Sequence, residues 1–425
     1  MNPLAEALDT HFERLAPQLL EIYRDLHRHP ELSMQEHRTA GIAADYIERL
    51  GYAVTRGVGG TGVVGVLRNG DGPTVMLRAD MDALPMAEDT GLPYASTATA
   101  VDADGHTVSV AHSCGHDLHV TWMLGAAHVL ANAREAWRGT VLVVFQPGEE
   151  TAQGASAMVA DWDAAGLPHA DVVLGQHVMV GAAGTVSYRP GVILSAADSL
   201  QVRLFGRGSH GSQPQTAIDP VVMAAATVLR LQTIVSREIA SLDSAVLTIG
   251  SLQAGTKENI IPDDAVLKLN MRTYDEGVRA HMLQAVERIC HAECQASNAP
   301  RPPEFTTLSR YPLTDNDREA TARVAAVFRA EFGDAALEGR PVAASEDFSV
   351  FGRTWGVPYV FWFVGGTDPQ VYAEAKASGT LNRVPSNHSP RFAPVLDPTL
   401  KVGLQAMLGA ASAWLCAPPP QADAR

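Results

Sequence analysis

His112-Ser113-Cys114-Gly115-His116-Asp117-Leu118-His119 places a thiol and three imidazoles within eight residues. Leu118 to Ala133 follows as a helix-like stretch rich in Ala, Leu and Met, and then the apolar run Val141-Leu142-Val143-Val144-Phe145 ends in Gln146-Pro147-Gly148-Glu149-Glu150. The run reads as a buried strand, and strands alternating with helices predict a layered α/β sheet. In such sheets functional groups collect just past the carboxyl ends of strands. Asp80 and Asp82 follow the strand-like Thr74-Val75-Met76-Leu77-Arg78-Ala79, Glu149 and Glu150 follow Val141–Phe145, and His177 follows Val172-Val173-Leu174-Gly175. Cys, His and carboxylate side chains bind zinc, manganese or cobalt. Two adjacent glutamates let one bind metal while the other moves a proton.

Working outward, Leu4, Leu8, Phe12, Leu15, Leu19, Ile22 and Leu26 recur at steps of three and four, an amphipathic helix ended by His29-Pro30. Thr39 to Leu50 reads as a second helix stopped by Gly51, and Val63–Leu67 as a strand. The rhythm changes near residue 195. Strand Ser199–Phe205, helix Asp219–Arg237, strands Ala245–Ser251 and Ala265–Thr273, helix Glu276–Asn298 and strand Phe305–Leu308 follow the β-α-β-β-α-β order of a ferredoxin-like module. The expected architecture is a layered α/β catalytic domain with a mixed sheet, residues 1–194 and 311–425, carrying an inserted α+β module at 195–310. The tail Pro418-Pro419-Pro420 is expected to fray.

The bulk numbers narrow the class. A chain of 425 residues exceeds one usual core. A formal charge of −15 argues against a nucleic-acid partner, which would want a basic stripe. The start, Met1-Asn2-Pro3-Leu4-Ala5-Glu6, lacks a basic segment followed by an apolar one, and no apolar run is long enough to span a bilayer. Four cysteines, Cys114, Cys290, Cys294 and Cys416, do not look like a disulfide framework, so a cytoplasmic, membrane-free protein is expected. Cys290 and Cys294, a helical turn apart, read first as buried apolar residues and second as a metal or redox pair.

Most of these signals have a plainer reading. Cys114-Gly115-His116 could be a buried Cys beside a capping His, and Asp117 only a helix N-cap. Glu149-Glu150 could be a solvated turn, although the rigid Gln146-Pro147-Gly148 exit delivers both acids to one place, where they repel unless a cation neutralises them. His177 and His388, each taken alone, read as loop histidines. Gly206-Arg207-Gly208-Ser209-His210-Gly211-Ser212 lacks phosphate-loop spacing, and its glycines let His210 approach a ligand. Asn259 and Arg272 offer an amide and a guanidinium suited to a carboxylate. Arg272 is equally readable as an ion pair with Asp263 or Asp264.

Together, LRADMDALP (77–85), HSCGHDLH (112–119), QPGEE (146–150), GSHGSQP (208–214), GTKENIIPD (255–263), SEDFS (345–349) and NHSP (387–390) resemble, in order, the dinuclear-metal aminoacylase/carboxypeptidase/hippurate-hydrolase peptidases. The branch is that of hippurate hydrolase and indole-acetyl-amino-acid hydrolase, and the likeness spans nearly the whole chain. It implies two divalent ions per subunit (zinc, manganese, cobalt or nickel), with Cys114 bridging, His116 and His177 completing one site and Glu150 and His388 the other. Glu149 would be the general base and His210 a second donor to the oxyanion. Asn259 and Arg272 would hold the substrate carboxylate, and Asp82 would orient a ligand. Other branches carry a His-x-Asp ligand motif where this chain reads Asp80-Met81-Asp82, and many relatives carry His where Gln215 stands. The implied activity is hydrolysis of N-acyl amino acids to a carboxylic acid and a free amino acid. The alternatives are a dipeptidase, an N-acetyl-diaminopimelate-type deacetylase, or a non-catalytic metal-binding carrier or sensor. The insert would serve as lid and as the interface of a homo-oligomer, dimer or tetramer.

Overall fold

The computed structural model describes residues 2–416; the Pro418–Pro420 stretch lies outside them. The chain divides into two compact units. One comprises Met1–Ile193, Asp315–Arg340 and Asp347–Arg425, the other Leu194–Thr314 and Pro341–Glu346.

The first unit is built on an eight-stranded mixed sheet. Its order is Ala53–Val58, Gly62–Asn69, Gly139–Gln146, Thr74–Asp80, Val172–Ala182, Tyr359–Thr367, Val186–Tyr188 and Ala336–Glu338. The middle four strands run parallel. Every residue of Gly139–Gln146 is buried. A strand covered on both faces reads as one continuous apolar run, and this is why Val141–Phe145 shows no alternation. The helices Pro3–Arg28, His116–Asn132 and Leu396–Leu415 pack against one another on this sheet, while Gly154–Trp162 and Ser349–Trp355 form a separate pair. The first helix buries Leu4, Leu8, Leu15, Leu19, Tyr23 and Leu26 along one stripe, and Asn2 caps it by accepting from the Leu4 N–H at 3.0 Å.

Asp117 is not the N-cap its position suggests; Gly115 occupies that place. Instead, Asp117 and Glu88 grip buried His27 of the first helix from both ring nitrogens, at 2.7 and 3.0 Å. This ties the start of the Cys114–His116 helix to the helix stack.

The second unit has a four-stranded antiparallel sheet in the order Ala245–Ala254, Asp264–Thr273, Ala196–Phe205, Glu304–Tyr311, with helices Pro220–Thr233 and Glu276–Ala296 packed on it. This is the expected ferredoxin-like order. The first of these helices is shorter than its periodicity suggests, because the backbone widens into a π-turn at Ile234–Glu238. Cys290 and Cys294 are unpaired thiols buried in this unit's apolar core, the first of their two readings.

Burial alone would lower His27, but the hydrogen bonds and charges of Asp117 and Glu88 outweigh it and carry His27 up to about 10. A folded value above the unfolded one contributes stability in full below about pH 6.5 and loses it as pH rises toward 10. His27→Gln should therefore cost about 3–5 kcal/mol at pH 6, as expected for a buried pair left with one partner. That deficit should shrink steadily toward pH 10 in denaturant titrations; a pH-independent deficit would contradict the ion pair.

Candidate metal centre

Register brings the acids together. Arg78 pairs with Val144 on one side and Gly175 on the other. Two residues on, Asp80 stands opposite Gln146, and the same offset sets it level with His177. His177 is not at a strand end, as its sequence suggests. The strand continues to Ala182 because it keeps pairing with Tyr359–Thr367. Beyond Gln146, Gly148 turns with a φ of 55° and presents Glu149 and Glu150. Gly115, at φ 86°, separates Cys114 from His116; a Cβ there would stand 2.4 Å from a Val178 methyl. His388 arrives from far along the chain, its N–H donating to Ser113 O at 2.8 Å. Beside it the Asn387 amide donates to Cys114 O at 3.1 Å and Val178 O at 3.0 Å.

The sets of potential ligand atoms that result, each confined within 4.8 Å, include Asp80, His116, His119 and His177; Cys114, Glu150 and His388; and His116, Glu149 and Glu150. Cys114 Sγ lies 3.4 Å from His177 Nε2, Glu150 Oε1 3.9 Å from His116 Nε2 and 3.2 Å from His388 Nε2.

Hydrogen bonds sort the imidazoles. His116 Nδ1 faces the Asp82 carbonyl at 2.9 Å, and His177 Nδ1 faces the Val178 carbonyl at 2.7 Å. A carbonyl only accepts, so both rings carry a proton on Nδ1 and turn Nε2, the nitrogen that can bind a cation, inward. His119 is different. Its Nε2 accepts the Val178 N–H at 2.9 Å and its Nδ1 donates to Asp80 at 2.5 Å, so no lone pair remains for a metal. Proximity alone would have counted it as a ligand. Asp80 in turn accepts from buried Arg78 at 2.6 Å, and Arg78 also reaches Gln146 and Asp347. Asp82 accepts the Glu150 N–H at 3.0 Å and the Ser33 hydroxyl at 2.6 Å.

The donor set fits a cation. His116 Nε2 and Glu150 Oε1 are buried without a hydrogen-bond partner, and buried polar atoms are rarely left so. Burial, then the charges of Glu150 and Glu149, pushes the Cys114 thiol well above its ordinary range. Burial would lower His116, yet Asp80, Asp82 and Glu150 carry it up to about 10. Burial and neighbouring His119 hold His177 well below its usual value, neutral and ready to donate its lone pair.

In the second unit, His210 and Asn259 lie together. His210 pairs with Ile260, Asn259 O accepts the Gly211 N–H at 2.8 Å, and both residues are exposed. Arg272 forms no ion pair with Asp263 or Asp264. Asp264 is taken by Arg203 and Asp263 by the Gly208 N–H, while Arg272 donates to Ala343 O at 2.7 Å and Ser345 Oγ at 3.2 Å. Nor do Asn259 and Arg272 meet within one chain. Asn259 precedes the strand Asp264–Thr273 and Arg272 is near its far end, roughly 26 Å of extended chain away.

A thiol, imidazoles and paired acids at the strand ends of an α/β unit, with a ferredoxin-like insert, describe a metal-dependent hydrolase. Residues 76–377 match the model of peptidase family M20/M25/M40. The chain is 36% identical over 368 residues to the hippurate hydrolase of Campylobacter jejuni, covering 85% of this chain and 90% of that one. It is 33% identical over 405 residues to thermostable carboxypeptidase 1 of Saccharolobus solfataricus, covering 94% and 96%. A dinuclear metal-binding peptidase of Bacillus subtilis superposes with a TM-score of 0.73 at 26% identity, covering 94% and 98%. The chain belongs to peptidase family M20/M25/M40 and is an amidohydrolase.

Since Cys114 and His116 are both protonated at neutral pH in metal-free protein, loading with zinc or manganese should release a proton from each. Affinity should therefore rise with pH. Calorimetry in buffers of different ionisation enthalpy counts these protons; binding without release would contradict the ligand assignment.

Proposed function

We propose that this chain hydrolyses the amide bond of N-acyl amino acids at a two-cation centre, releasing a carboxylic acid and a free amino acid. Cys114, His116, His177, Glu150 and His388 would hold the two cations. The observation that carries the reading is the placement of Glu149. It is 5% exposed, with a carboxylate oxygen within 4.8 Å of ligand atoms on His116 and Glu150, so one acid of the pair can hold metal while its neighbour stands beside it to move a proton.

When bound, the cations lower the pKa of the attacking water and polarise the scissile carbonyl. Glu149 takes the proton released as water attacks and delivers it to the leaving nitrogen. His210 donates to the developing oxyanion, and Arg272 and Asn259 hold the free carboxylate of the amino-acid half. Asp82 orients His116 through its carbonyl and the Glu149–Glu150 turn through its carboxylate. Asn259 and His210 share one end of the insert's sheet and Arg272 lies toward the other, so a complete carboxylate site draws on two copies. This supports a homo-oligomer joined through the insert.

Glu149→Ala should lower kcat by roughly 100- to 10,000-fold while two metal ions per chain remain bound. The assay is release of amino acid from N-acetyl, N-benzoyl, N-indoleacetyl and long-chain acyl substrates, with dipeptides alongside, before and after chelation. Full activity in the variant removes Glu149 from the mechanism, and faster turnover of dipeptides than of every acyl amino acid would favour a peptidase.

His210→Ala and Arg272→Ala should each be nearly inactive alone. In a 1:1 mixture of the two, half of the randomly formed pairs are mixed and each has one of its two composite sites intact, so about a quarter of wild-type activity should return. No recovery on mixing would place all three groups in one chain's site.

A further inference from the structure

The turn that presents Glu149 is held from outside by a segment the mechanism does not use. Residues 31–36 form a strap whose last member, Glu36, is fully buried. Glu36 Oε1 accepts two backbone N–H groups, Met34 at 2.7 Å and Gly148 at 2.8 Å, and Oε2 accepts the Thr61 hydroxyl at 2.5 Å. Met34 sits at φ 64° with its thioether against Gly148, where a Cβ would stand 2.5 Å from the sulfur. The same strap sends the Ser33 hydroxyl to Asp82, whose Oδ2 also accepts the Glu150 N–H. The N–H groups on either side of Glu149 are thus each fixed by a buried carboxylate, Gly148 by Glu36 and Glu150 by Asp82.

We infer that Glu36 is a positioning residue for the reaction: it fixes the Gly148 turn, and through it the aim of the Glu149 carboxylate. A glycine at positive φ has little stiffness of its own, so an external acceptor for its N–H sets the direction in which the next residue leaves. A misplacement of about 1 Å in a catalytic group can cost on the order of 100-fold in rate. Burial, then the Asp82 charge, moves Glu36 up to about 7, so the group need not be ionised to serve. Glutamine is its faithful mimic: the amide oxygen can accept both N–H groups and the NH2 can donate to Thr61. Aspartate keeps the charge but falls a methylene short.

This inference rests on the role proposed for Glu149, and the test separates the two. Full-length, metal-loaded Glu36→Asp, Glu36→Gln and Glu149→Ala are compared with wild type on N-benzoylglycine well below each melting temperature, with metal content measured. Glu36→Asp should lose at least about tenfold in kcat with KM within about threefold and metal retained, and Glu36→Gln should recover to within about threefold of wild type. If Glu149→Ala is inactive but Glu36→Asp turns over like wild type, the positioning role is overturned while the base stands. If Glu36→Gln is as impaired as Glu36→Asp, hydrogen-bond geometry is not what matters, and the inference also fails. If Glu149→Ala is fully active, the base assignment fails and this inference with it.

Discussion

Negative charge crowded into a place without water is the constraint on which the site depends. Asp80, Asp82 and Glu149 are buried and Glu150 nearly so, all within a few residues of the carboxyl ends of adjacent strands, with a buried thiol beside them. Such groups repel one another and resist ionisation unless positive charge stands among them. The fold supplies part of it. Arg78, 1% exposed, reaches Asp80 and Asp347, and His27 stands between Asp117 and Glu88 and offsets one of their two charges. The remainder falls on the Cys114–His116–Glu150 corner, where His116 Nε2 and Glu150 Oε1 are buried without a hydrogen-bond partner. The protein balances the outer acids with its own cations and leaves the inner set for metal.

A second layer of order decides which group does what. His116, His119 and His177 stand with ring centroids between 4.4 and 5.6 Å apart, so distance does not separate ligand from support. Backbone partners do. Two of the rings donate to carbonyls through Nδ1 and leave Nε2 to face the acids, while the third spends its Nε2 lone pair on an N–H. The same logic runs through the glutamates. Both belong to one turn, and the flanking N–H groups are pinned by carboxylates from distant segments, which holds the pair rigid enough for each member to keep its own role.

The layered sheet, the inserted module and the dense part of the centre were legible because they are local. Cys114, His116, Glu149 and Glu150 sit in two short motifs beside strongly patterned elements. His177 and His388 were not legible on their own, since a single histidine carries no spacing; only the order of motifs across the chain singled them out. Glu36, Arg78 and Asp347 escaped notice because the contacts that matter, Glu36 to Gly148 and Arg78 to Gln146 and Asp347, span 68 to 269 residues and are joined only by the fold. That Asn259 and Arg272 stand toward opposite ends of one strand was equally present in the sequence. One precedes the strand Asp264–Thr273 and the other lies near its end, so they could not face one ligand from one chain.

The central claim is that this corner of the molecule holds two cations. Anomalous diffraction from crystals grown with zinc or manganese tests it most directly. Two peaks should stand on either side of the Cys114 sulfur, one at roughly 2.0–2.3 Å from His116 Nε2 and His177 Nε2 and the other as close to Glu150 and His388, with His119 coordinating neither. Metal bound through His119 and Asp80, or no ordered ion between these side chains, would contradict the account.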